Sequence, residues 1–378
     1  MLYYSFSPIF VKGERYYALS FASILKRYKE AFGPFKIIAR RSEWSDKLPL
    51  VDVTDCFSEV FLLQSRLDIF FPSKGTIGRI KDMVASSNLI CIRIPALGAN
   101  LIFKIAKKYK LPVMSEVMGC PWDMFWNHSF KGKIIAPFIT LSTKNLAKNS
   151  DYVHYVTENF LQQRYPSASG VPVCAASDVK IKEISDDTIG SRRKKIKNMD
   201  RNSITVMTSA AVDVRYKGQQ YMIEAISILA KRGINARYII AGGGNPNYLL
   251  HYAQKYNVAD RIRLTGRLSA DDIVKNLDEC DIYVQPSLQE GLPRALVEAL
   301  SRGCPAVGAH TGGIPELLPP QCVVKRKSAK AIADAIEKML NDGLEKYSES
   351  SFRRARDFEV KELEARFNSF YNNIKQNL

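Results

Sequence analysis

Short apolar runs alternate with helix-like stretches along this chain, and this alternation limits the fold more than any other feature. Parallel strands need long crossover connections, which helices supply, so the pattern favours a parallel sheet covered on both faces. In the first half, predicted strands lie at residues 1–6, 35–39, 57–63, 89–92, 111–117 and 151–157, with Ser7 and Pro8 ending the first. Predicted helices lie at 14–28, 97–109, 131–148 and 158–165. This half therefore predicts a doubly wound α/β domain.

The second half repeats the alternation after a polar stretch. Residues 168–202 are rich in Ser, Gly, Pro and Asp, and they include a charge run at 192–195, which is typical of a solvated linker. Predicted strands follow at 203–207, 237–241, 261–264, 281–284 and 305–307, and predicted helices at 219–231, 247–256, 270–277, 294–301 and 328–339. We therefore predict an N-terminal domain over 1–175, a linker over 176–202, a C-terminal domain over 203–355 and a final helix over 356–378.

The bulk composition excludes several classes of protein. Hydrophobic residues make up 46% of the 378, which is enough to bury proper cores, so disorder is not expected. The chain has no apolar run of 18 residues and no signal-peptide pattern, which predicts a cytoplasmic protein without a membrane span. Its seven scattered cysteines are typical of free thiols in a reducing compartment. The histidines lack zinc-ligand spacing, so no metal site is predicted.

The formal net charge of +17 favours an anionic partner, unless it is a general bias with no single partner. Nucleic acid is the weakest choice, because no recognition motif accompanies the charge. The predicted helix at 97–109 has one apolar face, with lysines elsewhere at 104, 107, 108 and 110. A core face opposite a solvated face is the usual explanation of such a helix, and contact with anionic lipid is the alternative.

The stretch from Glu290 to Glu298 follows an apolar strand and carries two carboxylates around a predicted helix start. Gly291 allows a tight turn, and Pro293 suits the first turn of a helix. The free N–H groups of that turn would form an anion site. The two glutamates would lie roughly 12 Å apart along the axis if both were helical. Each glutamate alone is typical of a solvated surface, but together they suit a ligand with hydroxyls at both ends and phosphate between.

From Glu290 through Thr311-Gly312-Gly313-Ile314-Pro315-Glu316 the sequence resembles the donor-sugar motif of retaining glycosyltransferase family 4. The resemblance implies the GT-B fold: two doubly wound, Rossmann-like parallel-sheet domains facing a cleft, with a C-terminal helix crossing back to the first domain. Val360, Leu363, Phe367 and Tyr371 form an apolar stripe that would dock there.

The same resemblance assigns roles within the stretch. Glu290 would hold the hydroxyls of the sugar, and Glu298 would hold those of the ribose. The helix start at Gly291, Leu292 and Arg294 would face the diphosphate.

Other donor-binding residues follow from shorter matches. Lys217, before Gly218, matches a family lysine that reaches the diphosphate. The family usually has an Arg where this chain has Ala211, and Arg215 is the substitute that we expect. The loop of Gly266, Arg267 and Leu268 resembles the one whose backbone meets the nucleotide base. Gly13 stands at the place of a family glycine loop, although a plain turn is the better explanation of a single glycine.

Polar residues near the predicted strand at 111–117 form the expected acceptor side of the site. Glu116, Asp123, Asn127 and His128 cluster there with two tryptophans, beyond the carboxyl end of a strand, where α/β sheets bind ligands. The segment resembles a loop of surface-polysaccharide glycosyltransferases, with Cys120 in place of its first Asp. A sugar platform and simple core packing both account for the tryptophans. We predict catalytic roles for Glu290, Glu116, His128 and Asp123.

The resemblance implies a retaining, metal-independent hexosyltransferase that needs no cofactor. Its donor would be a nucleotide-sugar, with a UDP-sugar favoured. Its acceptor would be a glycan or lipid-linked oligosaccharide of surface-polysaccharide biosynthesis. An anionic membrane surface is a further expected partner, at the inner face of the plasma membrane. The alternatives are a GT-B sugar-nucleotide epimerase or phosphorylase-like enzyme, a non-catalytic nucleotide-sugar-binding scaffold subunit, and a nucleic-acid-binding protein that rests on charge alone.

Overall fold

A computed structural model describes residues 1–19, 21–46, 48–65, 67–127 and 130–378. The chain divides into two compact units. Unit 1 comprises Met1–Pro121, Pro137–Asp178 and Ala365–Leu378, and unit 2 comprises Trp122–Ala136 and Val179–Glu364. The segment Trp122–Ala136 therefore groups with the second domain, although the sequence predicted it within the first.

The strands of unit 1 form one mainly parallel sheet. They are β1 (Leu2–Lys12), β2 (Arg15–Ala18), β3 (Phe35–Glu43), β4 (Val51–Asp52), β5 (Phe57–Leu63), β6 (Ile90–Ile94), β7 (Val113–Val117), β8 (Tyr152–Tyr155) and β9 (Val173–Ala175). Parallel pairing gives the order β5-β3-β1-β6-β7-β8-β9, and β2 and β4 add an antiparallel extension beside the end of β1. The order reverses at β1, as in doubly wound folds.

The strands of unit 2 form a second, wholly parallel sheet. They are β10 (Ser203–Ser209), β11 (Asn235–Ala241), β12 (Ile262–Gly266), β13 (Ile282–Gln285), β14 (Ala306–Ala309) and β15 (Val323–Val324). Their order is β12-β11-β10-β13-β14-β15. The chain changes direction across the sheet between β10 and β13, and ligands of such sheets bind beyond the carboxyl ends of the strands at that point.

Helices connect the strands in both units. They are α1 (Ala22–Phe32), α2 (Leu67–Phe70), α3 (Lys74–Ala85), α4 (Ala99–Lys108), α5 (Pro121–Trp126), α6 (Phe130–Asn149), α7 (Phe160–Arg164), α8 (Asp186–Asn198), α9 (Gln219–Lys231), α10 (Asn247–Lys255), α11 (Ala270–Glu279), α12 (Arg294–Ser301), α13 (Ile314–Leu317), α14 (Ala329–Asp342), α15 (Glu345–Arg356) and α16 (Val360–Gln376). Among the helices that the structure describes, none has the length and apolar character needed to span a bilayer. The predicted doubly wound α/β architecture is confirmed.

The N-terminus differs from its prediction. β1 continues through Pro8 to Lys12, and a hairpin with β2 replaces the start of the helix that was predicted over 14–28. A shift in the register between β1 and β3 falls between Tyr4 and Pro8, which is the kind of irregularity where a strand tolerates proline. Gly13, with φ of +59°, forms the tight turn of the hairpin. Ser7 and Pro8 therefore do not end the first strand, because its pairing with β2 and β3 continues past them.

The predicted linker over 176–202 is wrong in its second part, which folds as α8 within unit 2. The side chain of Ser185 caps this helix by accepting a hydrogen bond from the N–H of Asp187. The charge run is not wholly solvated, because Arg192 is buried and donates to the carbonyls of Leu277, Cys280 and Arg302. One arginine of the run thus ties α8 to the C-terminal ends of α11 and α12 in unit 2.

The last part of α16, from Ala365, belongs to unit 1, so the expected return to the first domain holds for Phe367 and Tyr371, whereas Val360 and Leu363 lie in unit 2. Phe367 and Tyr371 are buried there, and the ring of Tyr371 lies 5.6 Å from that of Tyr28 on α1. The guanidinium of Arg27 lies 3.7 Å from the centre of the Phe367 ring. Aromatic packing and a cation–π contact therefore hold this end of the chain.

Candidate functional site

The loops after β10 and β13 meet through an ion pair between Lys217 and Glu290. Lys217 Nζ donates to Glu290 Oε1 at 2.8 Å, and both side chains are largely buried. The approach of the two loops depends on Gly218, whose φ is +77° and where a Cβ would lie 2.0 Å from the carbonyl oxygen of Pro286. Only glycine fits this position, so the Lys-Gly pair brings the cation to the point where the strand order reverses.

A chain of buried polar groups orients Glu290. Gln285 Nε2 donates to Glu290 Oε1 at 3.1 Å and to Ser287 Oγ at 2.9 Å. The hydroxyl of Tyr283 donates to Gln285 Oε1 at 2.9 Å. Burial raises the pKa of Tyr283, and the charge of Glu298 adds to the rise, so Tyr283 stays a donor. The sequence analysis missed Gln285; a polar residue ending a buried strand was the available signal.

The two halves of the donor motif pack backbone against backbone. The N–H of Gly313 donates to the carbonyl of Gly291 at 2.7 Å. Gly312 has φ of +55°, and a Cβ there would lie 2.3 Å from the carbonyl oxygen of Glu290. The hydroxyl of Thr311 is buried and has no hydrogen-bond partner within the described part of the chain. The glycines are therefore needed for close packing around Glu290.

Glu298 lies on α12, but Glu290 does not. The helix begins at Arg294, and Pro293 stands one residue before it instead of in the predicted first turn. Glu290 is thus a loop residue, and the helical spacing considered for the two carboxylates does not apply. Burial raises the pKa of Glu298, and the charge of the exposed Arg294 acts against that rise. A partly desolvated carboxylate gains from hydroxyl donors.

The remaining predicted donor residues lie around the ends of β10, β11 and β12. The exposed guanidinium of Arg215 lies 5.6 Å from the ring centre of Tyr248, and Leu268 is half-buried. Gly266 accepts a hydrogen bond from the N–H of Gly242 at 2.9 Å. Arg267 is exposed, and its Nε would lie 3.8 Å from a Cβ on Gly243.

The position of the usual family arginine is occupied by Ala211, whose carbonyl accepts a hydrogen bond from Gln219 Nε2 at 3.0 Å. Gln219 is fully buried, and its Oε1 has no hydrogen-bond partner in the described residues. Lys217 and Arg215 are therefore the cations next to this loop that could replace the family arginine.

The predicted catalytic role of Glu116 is wrong. Its side chain is fully buried in unit 1, where it accepts hydrogen bonds from the hydroxyls of Tyr3 at 2.7 Å and Tyr28 at 2.6 Å. Arg93 Nη1 lies 3.2 Å from its Oε2. Burial acts to raise the pKa of Glu116, but the charge of Arg93 and the contact with His154 outweigh it and hold that pKa well below its usual range. Every oxygen is occupied and none reaches solvent, so this glutamate is structural.

Asp123 has a different environment from Glu116, because it lies in unit 2. It is buried, and its Oδ1 lies 3.5 Å from Arg326 Nη1. On the next turn, Asn127 Nδ2 donates to the carbonyl of Leu288 at 3.2 Å, two residues before Glu290. This contact places the segment of Asp123 and Asn127, which was predicted to lie on the acceptor side, next to the Glu290 loop. His128, another predicted catalytic residue, lies outside the described residues.

Similarity to known proteins agrees with this geometry. Residues 191–356 match the family Glycosyl transferases group 1. The chain is 27% identical over 341 residues to protein CapJ of Staphylococcus aureus. This match covers 88% of this chain and 84% of CapJ. It is 38% identical over 109 residues to the amylovoran biosynthesis glycosyltransferase AmsK of Erwinia amylovora, or 27% of either chain. The structure of Anabaena Alr3699/HepE in complex with UDP-glucose has a TM-score of 0.65 at 16% identity, over 100% of this chain and 99% of that one.

The likeness to HepE establishes the fold, because it extends over the whole chain. The family match covers the part of unit 2 that carries Lys217, Glu290 and Glu298. As the resemblance to family 4 implied, the chain carries a glycosyl transferases group 1 domain over residues 191–356 and has the GT-B fold.

Proposed function

We propose that this glycosyltransferase moves a hexose-type sugar, with retention, from a UDP-sugar to a glycan or lipid-linked oligosaccharide in surface-polysaccharide biosynthesis. The observation that carries the proposal is the Lys217–Glu290 pair at the point where the strand order of unit 2 reverses. The similarity to AmsK, an amylovoran biosynthesis glycosyltransferase, supports the pathway class. The UDP-glucose complex of HepE supports the donor.

In this proposal, different residues bind the diphosphate, the sugar and the ribose of the donor. Lys217 has three donor hydrogens, so it can hold Glu290 and reach a phosphate oxygen at the same time. Arg215 and the N–H groups at the start of α12 add positive field for the leaving diphosphate without a metal ion. Glu290 accepts from sugar hydroxyls, and Glu298 accepts from the ribose.

The proposed transfer breaks the bond between the anomeric carbon and the diphosphate oxygen. The acceptor oxygen forms its bond to that carbon on the same face. The acceptor proton passes to the leaving phosphate, so no protein base is required. The positive field of Lys217 stabilises the charge that develops on the leaving group.

Calorimetric titration of UDP and GDP, without added metal, tests the donor site. We expect tight binding of UDP and a clear loss of affinity in Glu298→Ala. Glu279→Ala is the matched control, because Glu279 is an exposed glutamate at the end of α11. No binding of either nucleotide by the wild-type protein would overturn the proposal. A chelator that abolished binding would overturn its metal-independent part.

A second candidate function, which one observation favours, is that of a non-catalytic nucleotide-sugar-binding subunit. Ala211 places no cation where the family usually has one, and its backbone is instead bonded to Gln219. Such a subunit would bind UDP with the affinity expected of a donor site. It would release no UDP from UDP-sugars when glycan acceptors were present.

We also propose that the protein works at an anionic membrane surface. The apolar face of α4 is buried, so that helix cannot present it to lipid. α6 instead exposes Phe130 by 78%, Ile134 by 59%, Phe138 by 69% and Leu141 by 65%. Spacings of four, four and three residues put these side chains on one face of the helix.

Lysines of the same helix make anionic lipid the fitting occupant of that face. They are Lys131, Lys133, Lys144 and Lys148, and all of them are exposed. An apolar face bordered by lysines is the pattern of a helix that lies in the interface of an anionic bilayer. The sequence analysis missed the exposed apolar face of this helix.

Sedimentation with vesicles of neutral and anionic lipid, at low salt, tests the membrane proposal. We expect binding to anionic vesicles that the double variant Phe138→Ser, Leu141→Ser loses. Leu250→Ser is the control, because Leu250 is an exposed leucine on α10. Binding that ignored lipid charge would overturn the proposal. A wild-type dimer that dissociates in the double variant would also overturn the proposal, because a second copy of the chain would then cover the face.

A further inference from the structure

A cavity of about 670 Å³ in unit 2 lies beside the Glu290 loop. One wall is formed by α5, whose Trp122 and Trp126 stack with ring centres 4.9 Å apart and planes within 14°. Another wall is formed by the chain that leaves β15, with Lys325 and Lys327. Leu288, which also lines the cavity, precedes Glu290 by two residues.

The walls of the cavity combine aromatic and charged side chains, which suit a polar ligand better than an empty packing defect. Flat indole faces bind the apolar face of a sugar ring, while nearby polar groups bind its hydroxyls. Trp126 is 42% exposed, although it stacks on Trp122. Lys325, Arg326 and Lys327 are exposed on the same cavity, and Asp123 Oδ1 lies 3.5 Å from Arg326 Nη1. The charge of the walls is therefore strongly positive.

The position of the cavity relates it to the donor site. Its walls come from the carboxyl ends of β14 and β15, the same edge of the sheet that carries the Glu290 loop. His310, at the end of β14, donates its N–H to the carbonyl of Val324 and holds the two ends together. A ligand in the cavity would lie next to the sugar held by Glu290.

We propose that this cavity binds an acidic sugar of the acceptor, stacked on the tryptophan pair with its negative charge against Lys325 and Lys327. The inference rests on the proposed function, because it assigns the substrate class of the acceptor. The shared chemistry is a pyranose bearing an anion, which is either a uronate carboxylate or a phosphate ester. The cavity therefore selects acceptors by charge as well as by shape.

Tryptophan fluorescence reports on the cavity directly. The chain has three tryptophans, so Trp44→Phe leaves Trp122 and Trp126 as the only indoles. In this background we would titrate trigalacturonate, maltotriose and glucose 1-phosphate in the presence of UDP. We expect trigalacturonate to bind at least tenfold more tightly than neutral maltotriose, and its binding to weaken with added salt.

The double variant Lys325→Gln, Lys327→Gln should raise the Kd for trigalacturonate at least tenfold and leave that for maltotriose unchanged. The control removes two other exposed lysines, Lys338→Gln and Lys346→Gln, which flank Asp342. If only glucose 1-phosphate binds and depends on both lysines, the acid is a phosphate ester. Measurable but equal affinity for trigalacturonate and maltotriose would overturn the inference, and so would an affinity for the anionic sugars that the double variant leaves unchanged.

The same variant separates this inference from the proposed function. UDP affinity should be unchanged when Lys325 and Lys327 are replaced, because neither belongs to the donor site. A wild-type protein that binds trigalacturonate but not UDP would contradict the proposed donor and leave the cavity assignment standing.

Discussion

Lys217 Nζ lies 2.8 Å from Glu290 Oε1, although 73 residues separate the two in the chain. The pair joins the loops after β10 and β13 and is largely shielded from water, so salt screens it less than a surface pair. One member is expected to meet the diphosphate and the other the sugar. The two residues should therefore have separable effects on binding and transfer.

Replacing Lys217 by alanine should weaken UDP binding by about 1.5–3 kcal/mol, because a charged hydrogen-bond donor is lost. Glu290→Gln should leave UDP affinity within about threefold and should lower transfer strongly, because the amide keeps the shape but loses the charge. Calorimetry with UDP and turnover of the UDP-sugar measure the two effects. A Glu290→Gln protein that lost as much UDP affinity as Lys217→Ala would contradict this division.

Glu298→Gln should stabilise the protein while weakening its donor site. Burial raises the pKa of Glu298, so the folded state holds this proton more tightly than the unfolded chain does. Stability is therefore lost as the pH rises from the ordinary glutamate pKa through the raised pKa of Glu298. Glutamine removes that loss, so its thermal midpoint should exceed that of the wild type at pH 8 and match it at pH 4.

Thermal unfolding at the two pH values, with Glu279→Gln as the exposed control, checks this expectation. A Glu298→Gln protein less stable than wild type at pH 8 would show that the carboxylate stabilises the fold. UDP affinity, measured beside it, should fall in Glu298→Gln and stay constant in the control.

Arg192→Ala should destabilise unit 2 by about 3 kcal/mol or more. The guanidinium donates to the carbonyls of Leu277 at 2.6 Å, Cys280 at 2.5 Å and Arg302 at 3.1 Å, and its loss removes a charged donor from all three acceptors. Lysine cannot reproduce the planar fork, so Arg192→Lys should restore little.

The neighbouring residue supplies the control for Arg192. Arg193 pairs with Glu349 at the surface, so Arg193→Ala should change stability by less than about 1 kcal/mol. Thermal and urea unfolding of the three variants would compare them. Similar midpoints for Arg192→Ala and Arg193→Ala would show that α8 is not held by the buried guanidinium.

Glu116→Gln should cost stability and leave the donor chemistry of the folded protein intact. Removing the charge of Glu116 from this buried cluster leaves Arg93 and Arg27 to share the one carboxylate of Asp178, at a cost of up to about 3–5 kcal/mol. The lowered pKa of Glu116 means that its contribution is present above the ordinary glutamate pKa and is lost only as the pH falls through the lower folded value.

Unfolding midpoints and UDP affinity measure this variant beside Glu59→Gln, a glutamate of β5 that is paired with Lys36 and Arg79 and is more exposed. The control should lose no more than about 1 kcal/mol. A Glu116→Gln protein of normal stability that binds UDP but fails to transfer sugar would return Glu116 to the catalytic residues.

The sequence predicted much of unit 2 correctly because its signals there are local. α9 and α12 have the predicted bounds, since apolar periodicity and the preceding glycine or proline mark them within a few residues. The Glu290–Glu298 motif also lies within one loop and one helix, so its residues could be named before their geometry was known. The prediction of a helix from residue 14 was wrong at its start, because pairing between β1 and β2 overrode a local helical pattern.

The roles of the acidic residues of the predicted acceptor side were decided by tertiary structure alone. Glu116 and Asp123 are seven residues apart in sequence, yet one is enclosed by Tyr3, Tyr28 and Arg93 in unit 1 and the other borders a cavity of unit 2. Burial and partners come from segments far away in the chain, and no local pattern encodes them.

The sequence by itself determined the alternation of strands and helices, the glycines at tight turns and the chemical groups of the donor motif. Each of these depends on residues that are close together in the chain. The tertiary structure decided that Lys217 pairs with Glu290, that Arg192 is buried and that α6 exposes an apolar face. These properties depend on which distant backbone and side-chain groups exclude water from a residue, and only the folded chain brings those groups together.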